Sequence, residues 1–473
     1  MTRLALLLLV GAGLLAGCGT QREAVTTTSP APPPKPKLAV PDVPAPPAPR
    51  RPRLHRVQVT VVDGDTNRRL PHARVTIGPR TAIADRHGVA HVPIARRAAL
   101  VTVAAKRGYA PRSVRLAFRT HPKSTIRIYR SALQWAMYGV DPQRSGQQNA
   151  LAVRPPFRVV WSRGLGGLVE FPAVVADGVA YVANARGTVR ALDMRDGTVV
   201  WRHDTPNGKM ASSPAIWGGT LVVHGMDGHV WVLRRGYGKL LWHLTLGSPI
   251  ESSPVVIDGV DVFGAWNGTI TALDLRTHRV RWRRYAGCKI TSSAAYAGGT
   301  IYLGDYCGRL LALRASDGRL RWSRSVNGRV YGTPAVAAGR VFVPSSTGGS
   351  LTAFSTSGAF LWQRQTGSYV YSSPAVAAGR VFFGSYNGVF YAVSARSGRT
   401  LWAHGTGGPI SGAAVVVDGV AYAGSFAHRI LGVDVRSGRV VLDFPHGEYV
   451  PVSGGGTRLL LHGYSRVFAV ERR

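Results

Sequence analysis

Tryptophan recurs in this chain with a fixed period. It occupies positions 161, 201, 242, 282, 322, 362 and 402, at spacings of 40, 41, 40, 40, 40 and 40, and the next place in the series is Leu442. Four residues before most of them stands a glycine: Gly197, Gly238, Gly318, Gly358, Gly398, and Gly438 before Leu442, with His278 breaking the column. A proline column recurs upstream at 172, 214, 254, 334, 374 and 451, with Ala294 and Ala414 as substitutes. A period near 40 that persists this long means a repeat architecture.

Each unit reads as four short strands separated by glycine turns, as in Gly379-Arg-Val-Phe-Phe-Gly384 and Gly388-Val-Phe-Tyr-Ala-Val393. Four strands per repeat predicts a β-propeller blade. A tryptophan on the outermost strand would pack between blades and bury a large apolar surface. The pattern Ala191, Asp193, Gly197, Trp201 and its variants gives seven units. Residues 451–470 supply three more strands, and 157–163 is an orphan outer strand bearing Trp161. Joining them predicts an eighth blade, which leaves no unpaired edge between the ends of the ring.

These residues resemble the PQQ-like (quinoprotein-type) repeat propellers, a family that includes the BamB-like lipoprotein subunit of the outer-membrane assembly machinery. The resemblance covers roughly 135–473, and Trp135-Ala-Met-Tyr-Gly139, Asp141 and Gly146 look like that family's lead-in. It implies a scaffold, since fold does not set function.

The N-terminus predicts export. Arg3 precedes an apolar run, Leu4 to Leu15, that is too short for an ordinary membrane span. The run ends in Leu15-Ala16-Gly17-Cys18, which looks like a lipobox with Cys18 as the lipidation site. Residues 1–17 would be the signal peptide, and the Pro-rich stretch within 18–53 a semi-rigid spacer. The expected location is extracytoplasmic, lipid-anchored to the bacterial cell membrane.

Residues 54–130 alternate in strand fashion at 57–62, 73–77, 89–92, 100–103, 114–118 and 125–129, which predicts a small antiparallel β-sandwich. Asp63-Gly-Asp-Thr66, Leu70-Pro-His-Ala73, Asp85-Arg-His-Gly88 and Gly108-Tyr109 resemble the carboxypeptidase-regulatory-like domain, an accessory module in its family. The fold expected overall is therefore all-β: a small sandwich at 54–130, then an eight-bladed propeller of four-stranded antiparallel blades at 135–473.

The chain has 59 Lys and Arg against 23 Asp and Glu, a net charge of +36. Residues 54–130 hold 16 basic and three acidic side chains. Such a surface suits an anionic wall or lipid polymer outside the cell, and Arg-rich codon usage is the plainer explanation. Export argues against nucleic acid. A monomer is expected.

Quinone-dependent dehydrogenases of the family place an adjacent Cys–Cys pair over the quinone and an Asp/Glu/Asn set around Ca²⁺. The three cysteines here are not adjacent, and only Glu170, Glu251 and Glu448 stand just before the predicted inner strands. A Ca²⁺ site needs several converging oxygens. No cofactor, metal site or catalytic residue is therefore assigned. His203, His243 and His404 follow blade tryptophans and read as solvent-facing structural residues. Two functions are weighed: a non-catalytic scaffold for an envelope protein or polymer, and a quinone- or metal-dependent oxidoreductase with a degenerate site.

Strands alternate up and down within a blade. The loop entering the innermost strand therefore shares a face with the loop between the second and third strands. Cys288 and Cys307 fall in these two loops of one blade, so export predicts a disulfide. The same alignment gathers Ala185, Met226, Trp266, Tyr306, Ser346, Tyr386, Phe426 and Tyr464 into one column. Beside it stand Lys209, Glu251, Lys289, Arg329, Tyr331, Tyr369, Tyr371 and Glu448. Aromatic anchors ringed by cations are what recognition surfaces use, so this face is the candidate partner-binding site. The alternative is that the rings only cap the apolar layers.

Overall fold

The computed structural model describes residues 54–473 except 96, 97 and 207. The leader, Cys18 and the Pro-rich stretch lie outside the described residues. Two sheets enclose one apolar cluster at the start. One orders Val89–Ile94, His55–Asp63 and Lys123–Ile128, and the other orders Arg80–Ile83, Arg74–Ile77, Ala99–Ala105 and Arg112–Ala117. Val57, Val59 and Val61 alternate inward to meet Val75, Ala104 and Phe118. Two features differ from the expectation. Arg80–Ile83 is an extra strand, hairpinned onto Arg74–Ile77. The pairing of His55–Asp63 with Lys123–Ile128 is parallel, because the chain reaches the latter by crossing from the other sheet instead of through a hairpin.

Seven sheets then follow in chain order, with inner strands Val174–Ala176, Ala215–Trp217, Val255–Ile257, Ala295–Ala297, Ala335–Ala337, Ala375–Ala377 and Val415–Val417. Each runs antiparallel from its inner to its outer strand. The seventh gains a fifth strand, Gln147–Gln148, added in parallel to its inner edge. The last sheet takes three strands from the C-terminus, and its outer strand is Phe157–Gly164 from far upstream, paired so that Ala469 faces Trp161.

The tryptophan column explains the repeat. Each tryptophan sits across from a small or slim residue, Ala191 for Trp201 and Ala392 for Trp402, immediately before a β-bulge. The bulge twists the outer strand. The indole then reaches the next sheet. Trp161 Nε1 donates to the carbonyl of Met194 at 3.0 Å, Trp201 to Arg235 at 2.8 Å, Trp282 to Ala315 at 2.9 Å and Trp362 to Ala395 at 3.1 Å. The ring lies flat on the glycine of that same turn. A Cβ on Gly197, Gly238, Gly318 or Gly398 would meet indole carbons at 2.4–2.6 Å, and φ there is +70°. Glycine is thus required twice, by sterics and by backbone.

The two exceptions fit this geometry. His278, at φ 59°, stacks its own ring on Trp242 with centroids 4.4 Å apart. Leu442 faces the last sheet, whose third strand ends at Arg472 and whose outer strand starts at Phe157. No turn exists there for an indole to dock on.

The lead-in stitches the inner edges together. Trp135 exchanges backbone bonds with Val175, and the carbonyls of Ala136, Pro142, Gln143, Ser145 and Gly146 accept from Ile216, Tyr296, Val336, Val376 and Val416. Arg144, nearly fully buried, donates to the carbonyls of Ala294, Ser253 and Pro254 at 2.8–3.2 Å. The segment therefore satisfies inner-edge groups of successive sheets and closes one end of the central channel.

Two outcomes test this. Gly398→Ala and Gly339→Ala carry the same backbone strain, with φ of 70° and 71°, but only the first would strike an indole. Gly339→Ala should cost about 1 kcal/mol and Gly398→Ala a further ~1–3 kcal/mol from overpacking, read from denaturant midpoints. The second concerns His462, buried in the last sheet, where its Nε2 accepts the Ala173 amide at 3.2 Å. Burial lowers its pKa to about 4. The folded value lies below the unfolded value near 6.5, so stability is whole above that pH and falls as pH drops from 6.5 to 4. The loss should be on the order of 3 kcal/mol, and His462→Gln should flatten that part of the pH–stability curve.

Candidate functional site

The open end of the channel is ringed by the two loop sets singled out above. A repeated backbone bond ties the pair in the second to seventh sheets. The amides of Met226, Trp266, Tyr306, Ser346, Tyr386 and Phe426 donate to the carbonyls of Lys209, Pro249, Lys289, Arg329, Tyr369 and Pro409 at 2.7–3.0 Å. In the fourth sheet a disulfide joins Cys288 and Cys307, with Cα atoms 5.9 Å apart. It flanks the Lys289–Tyr306 bond on both strands of the loop pair.

The side chains divide into three groups. In the first, the Lys289 ammonium lies 3.3 Å from the centre of the Trp266 ring and 4.9 Å from that of Tyr306, while the Arg329 guanidinium stacks 5.7 Å from Tyr306. Trp266 is 37% exposed, so this cation–π cluster presents a face to solvent. The second is an aromatic arc. Tyr331 meets Tyr371 at 5.4 Å, Tyr371 meets Tyr386 at 4.8 Å, Tyr386 meets Phe426 at 5.9 Å, and Phe426 meets Tyr449 at 5.3 Å. Tyr369 joins it and is exposed. Tyr464 is exposed but stands outside these ring contacts, as do Lys209 and the smaller Ala185, Met226 and Ser346.

The third group is the floor. Glu251, only 7% exposed, accepts from Tyr331 Oη at 2.5 Å and from Trp266 Nε1 at 2.9 Å. It is therefore a buried acceptor beneath the rim. Burial, and next to it the Glu251 charge, raise the Glu170 carboxyl to about 7. Burial raises Tyr331, with Glu251 and Glu170 adding to the shift. Glu448 is half-buried, 3.7 Å from the exposed His428. Glu170, Glu251, Thr291, Tyr371 and Tyr449 border a cavity of about 30 Å³ whose base is Tyr138 of the lead-in. The channel is thus a blind cup with an acidic floor and an aromatic, cationic rim.

Tyr449 was not singled out by the sequence, although it follows Glu448 directly. The pair His224–Asp261 was also missed. It is fully buried, with His224 Nε2 2.9 Å from Asp261 and Nδ1 2.6 Å from the Ser252 carbonyl, and it joins the second and third sheets. Its signal was a polar residue in each of two apolar strands. His243 is exposed, as expected, whereas His203 and His404 are half-buried. His404 Nε2 bonds the Gly438 carbonyl at 2.7 Å, and His243 packs on Trp231. Among the described residues no three His, Cys, Asp or Glu side chains gather as a metal-ligand set.

A family model described as "Outer membrane protein assembly factor BamB" matches residues 153–265, 266–369 and 345–449. Among curated proteins, a quinohemoprotein alcohol dehydrogenase of Comamonas testosteroni is 30% identical over 126 residues, 23% of this chain and 18% of that one. The outer membrane protein assembly factor BamB of Yersinia pestis is 30% identical over 95 residues, 19% of this chain and 24% of that one. The chain therefore spans only about a fifth of the length of these two relatives. The crystal structure of BamB from Moraxella catarrhalis shares the fold, with a TM-score of 0.58 at 18% identity, over 67% of this chain and 99% of that one.

The disulfide is testable through stability. Its closed loop spans a sequence separation of 19, and loops of that size contribute on the order of 3 kcal/mol. A Cys288→Ser/Cys307→Ser variant should unfold at lower denaturant and be indifferent to reductant. The native chain should lose a similar amount when reduced.

Proposed function

The chain belongs to the repeat family described as the outer membrane protein assembly factor BamB, and from that premise we propose a non-catalytic envelope scaffold that binds an envelope protein through the open channel mouth. In this reading residues 135–473 are an eight-bladed propeller closed by the upstream outer strand, and 54–130 are a carboxypeptidase-regulatory-like sandwich. Cys18 carries the lipid anchor and 18–53 the spacer, so the protein works as a monomer tethered at the cell membrane. The basic sandwich rests against anionic wall or lipid polymer.

The observation that carries the reading is the unbroken run of ring contacts from Tyr331 to Tyr449 beside the exposed Trp266–Lys289 stack. Rigid aromatics and desolvated cations at the centre of a face are the anchors that dominate protein interfaces. The backbone bond repeated in the loop pairs of the second to seventh sheets holds them in place without a partner.

The relative named as a quinohemoprotein dehydrogenase brings a second reading, which the residues here do not favour. A space of about 30 Å³ at the channel floor is the size of one water, not of a quinone. The two described cysteines bridge separate rim loops. No reaction step is derived through such a cofactor.

The test is capture from intact cells with crosslinking. A Trp266→Ala/Tyr306→Ala/Tyr331→Ala/Tyr386→Ala variant that keeps its thermal transition should lose at least about 90% of the protein captured by the native chain, in keeping with hot-spot losses of ~2 kcal/mol or more. Capture undiminished by the variant would place the binding surface elsewhere.

A further inference from the structure

We propose that the cup at the channel mouth receives a lysine side chain of the protein partner, its ammonium seated between Glu170, Glu251 and Thr291 and walled by Tyr371 and Tyr449. This deepens the scaffold reading and rests on it.

The first ground is charge. The chain has only five glutamates, yet Glu170, Glu251 and Glu448 all border this mouth in a molecule of net charge +36. Buried carboxylates are ordinarily paired with a cation. Glu251 receives only the neutral donors Tyr331 and Trp266, and among the described residues neither it nor Glu170 forms an ion pair. The neighbouring cations are committed to other partners. Lys289 lies on Trp266, Arg329 on Tyr306, and Arg144 below donates to backbone carbonyls. The floor is therefore one positive charge short.

The second ground is independent of the acids. Thr291, 5% exposed, lines the same cavity, and its Oγ1, beside the Tyr306 hydroxyl, has no partner at full hydrogen-bond geometry. A buried hydroxyl left unmatched in this way is costly, and an ammonium donor would satisfy it. An ammonium has three donors, and the floor offers three acceptor groups: two carboxylates and one hydroxyl. Size narrows the choice. A cavity of about 30 Å³ admits a group as large as one water, which fits an ammonium and leaves out a sugar ring. Tyr371 and Tyr449 supply faces along which the apolar stem and its charge can lie.

The probe is a fluorescein-labelled Asp-Gly-Lys-Gly-Asp peptide, titrated into the purified full chain at 0.15 M salt and read by anisotropy. Its Nε-acetyl-lysine counterpart is more negative and gains from general attraction to a basic protein, so the comparison is biased against the proposal. The lysine peptide should nevertheless bind at least about tenfold more tightly. Glu170→Gln/Glu251→Gln should remove that preference, and the more accessible Glu170→Gln alone should reduce it if the double variant melts early. Equal affinity for both peptides, or a preference that survives in a folded Gln variant, overturns the proposal. So does displacement of the lysine peptide by glucosamine oligomers at lower concentration than by unlabelled peptide, which would assign the cup to a wall polymer. Failure here with undiminished capture of the envelope protein leaves the scaffold standing and removes only the lysine.

Discussion

The indole that lies on a neighbouring sheet's glycine is the interaction on which this structure depends. Hydrogen-bonded ladders hold each sheet internally, but each ladder stops at its own three to five strands. What passes from one sheet to the next is carried by side chains: tryptophan recurs at the outer strands, and near the inner ones the hydroxyls of Ser253, Ser293, Thr333 and Ser373 accept the amides of Ser213, Ser253, Ser293 and Thr333. The ring covers the turn between the third and fourth strands, its N–H finds a carbonyl in that turn, and the glycine there leaves room for it. Five of these joints, at Trp161, Trp201, Trp282, Trp322 and Trp362, combine burial of a large apolar ring with one satisfied donor, whereas the Trp402 N–H is buried without a partner. The 40-residue period follows, because chain length per sheet must return the next indole to the same place.

Closure is handled differently at the one point where the repeat cannot continue. The last sheet borrows its outer strand from upstream, so its joint with the first sheet still has a tryptophan, Trp161, donating to Met194. The joint on its other side has Leu442, packed among residues of the C-terminal strands. Arg154, just before the borrowed strand, pairs with Asp434 at 2.5 Å and bonds the Asp418 carbonyl, fastening the start of that strand to the seventh sheet. The lead-in completes the arrangement from inside. By bonding the inner edges in turn and burying Arg144, it shuts one end of the channel and turns the other into a cup. The face proposed for recognition is thus a consequence of how the ring is sealed.

What could be read from the sequence was what the repeat enforces. The tryptophan, glycine and proline columns gave the sheets, the strand directions put Cys288 near Cys307, and the loop alignment assembled Trp266, Tyr306, Tyr386 and Phe426 on one side. What could not be read was what occurs once. Residues 135–148 have no period, since each contacts a different sheet. Glu170 and Glu251 belong to the first and third sheets and meet Tyr331 of the fifth only across the channel, so no spacing announces them. Arg80–Ile83 was overlooked because Arg-Thr-Ala-Ile alternates too weakly to stand out beside the longer strands. Strand alternation alone places the histidines beside the tryptophans outward, which holds for His243 but ignores the neighbouring sheet that His404 bonds.

The central claim is that recognition takes place at the cup side of the ring. The most direct test is photo-crosslinking in living cells, with a benzophenone side chain placed at Tyr386 on that side, or at Ala378, exposed in the turn between inner and second strands at the opposite end. The account predicts a discrete crosslinked envelope protein from position 386 and none from 378. A crosslink that forms from 378 and not from 386 would contradict it.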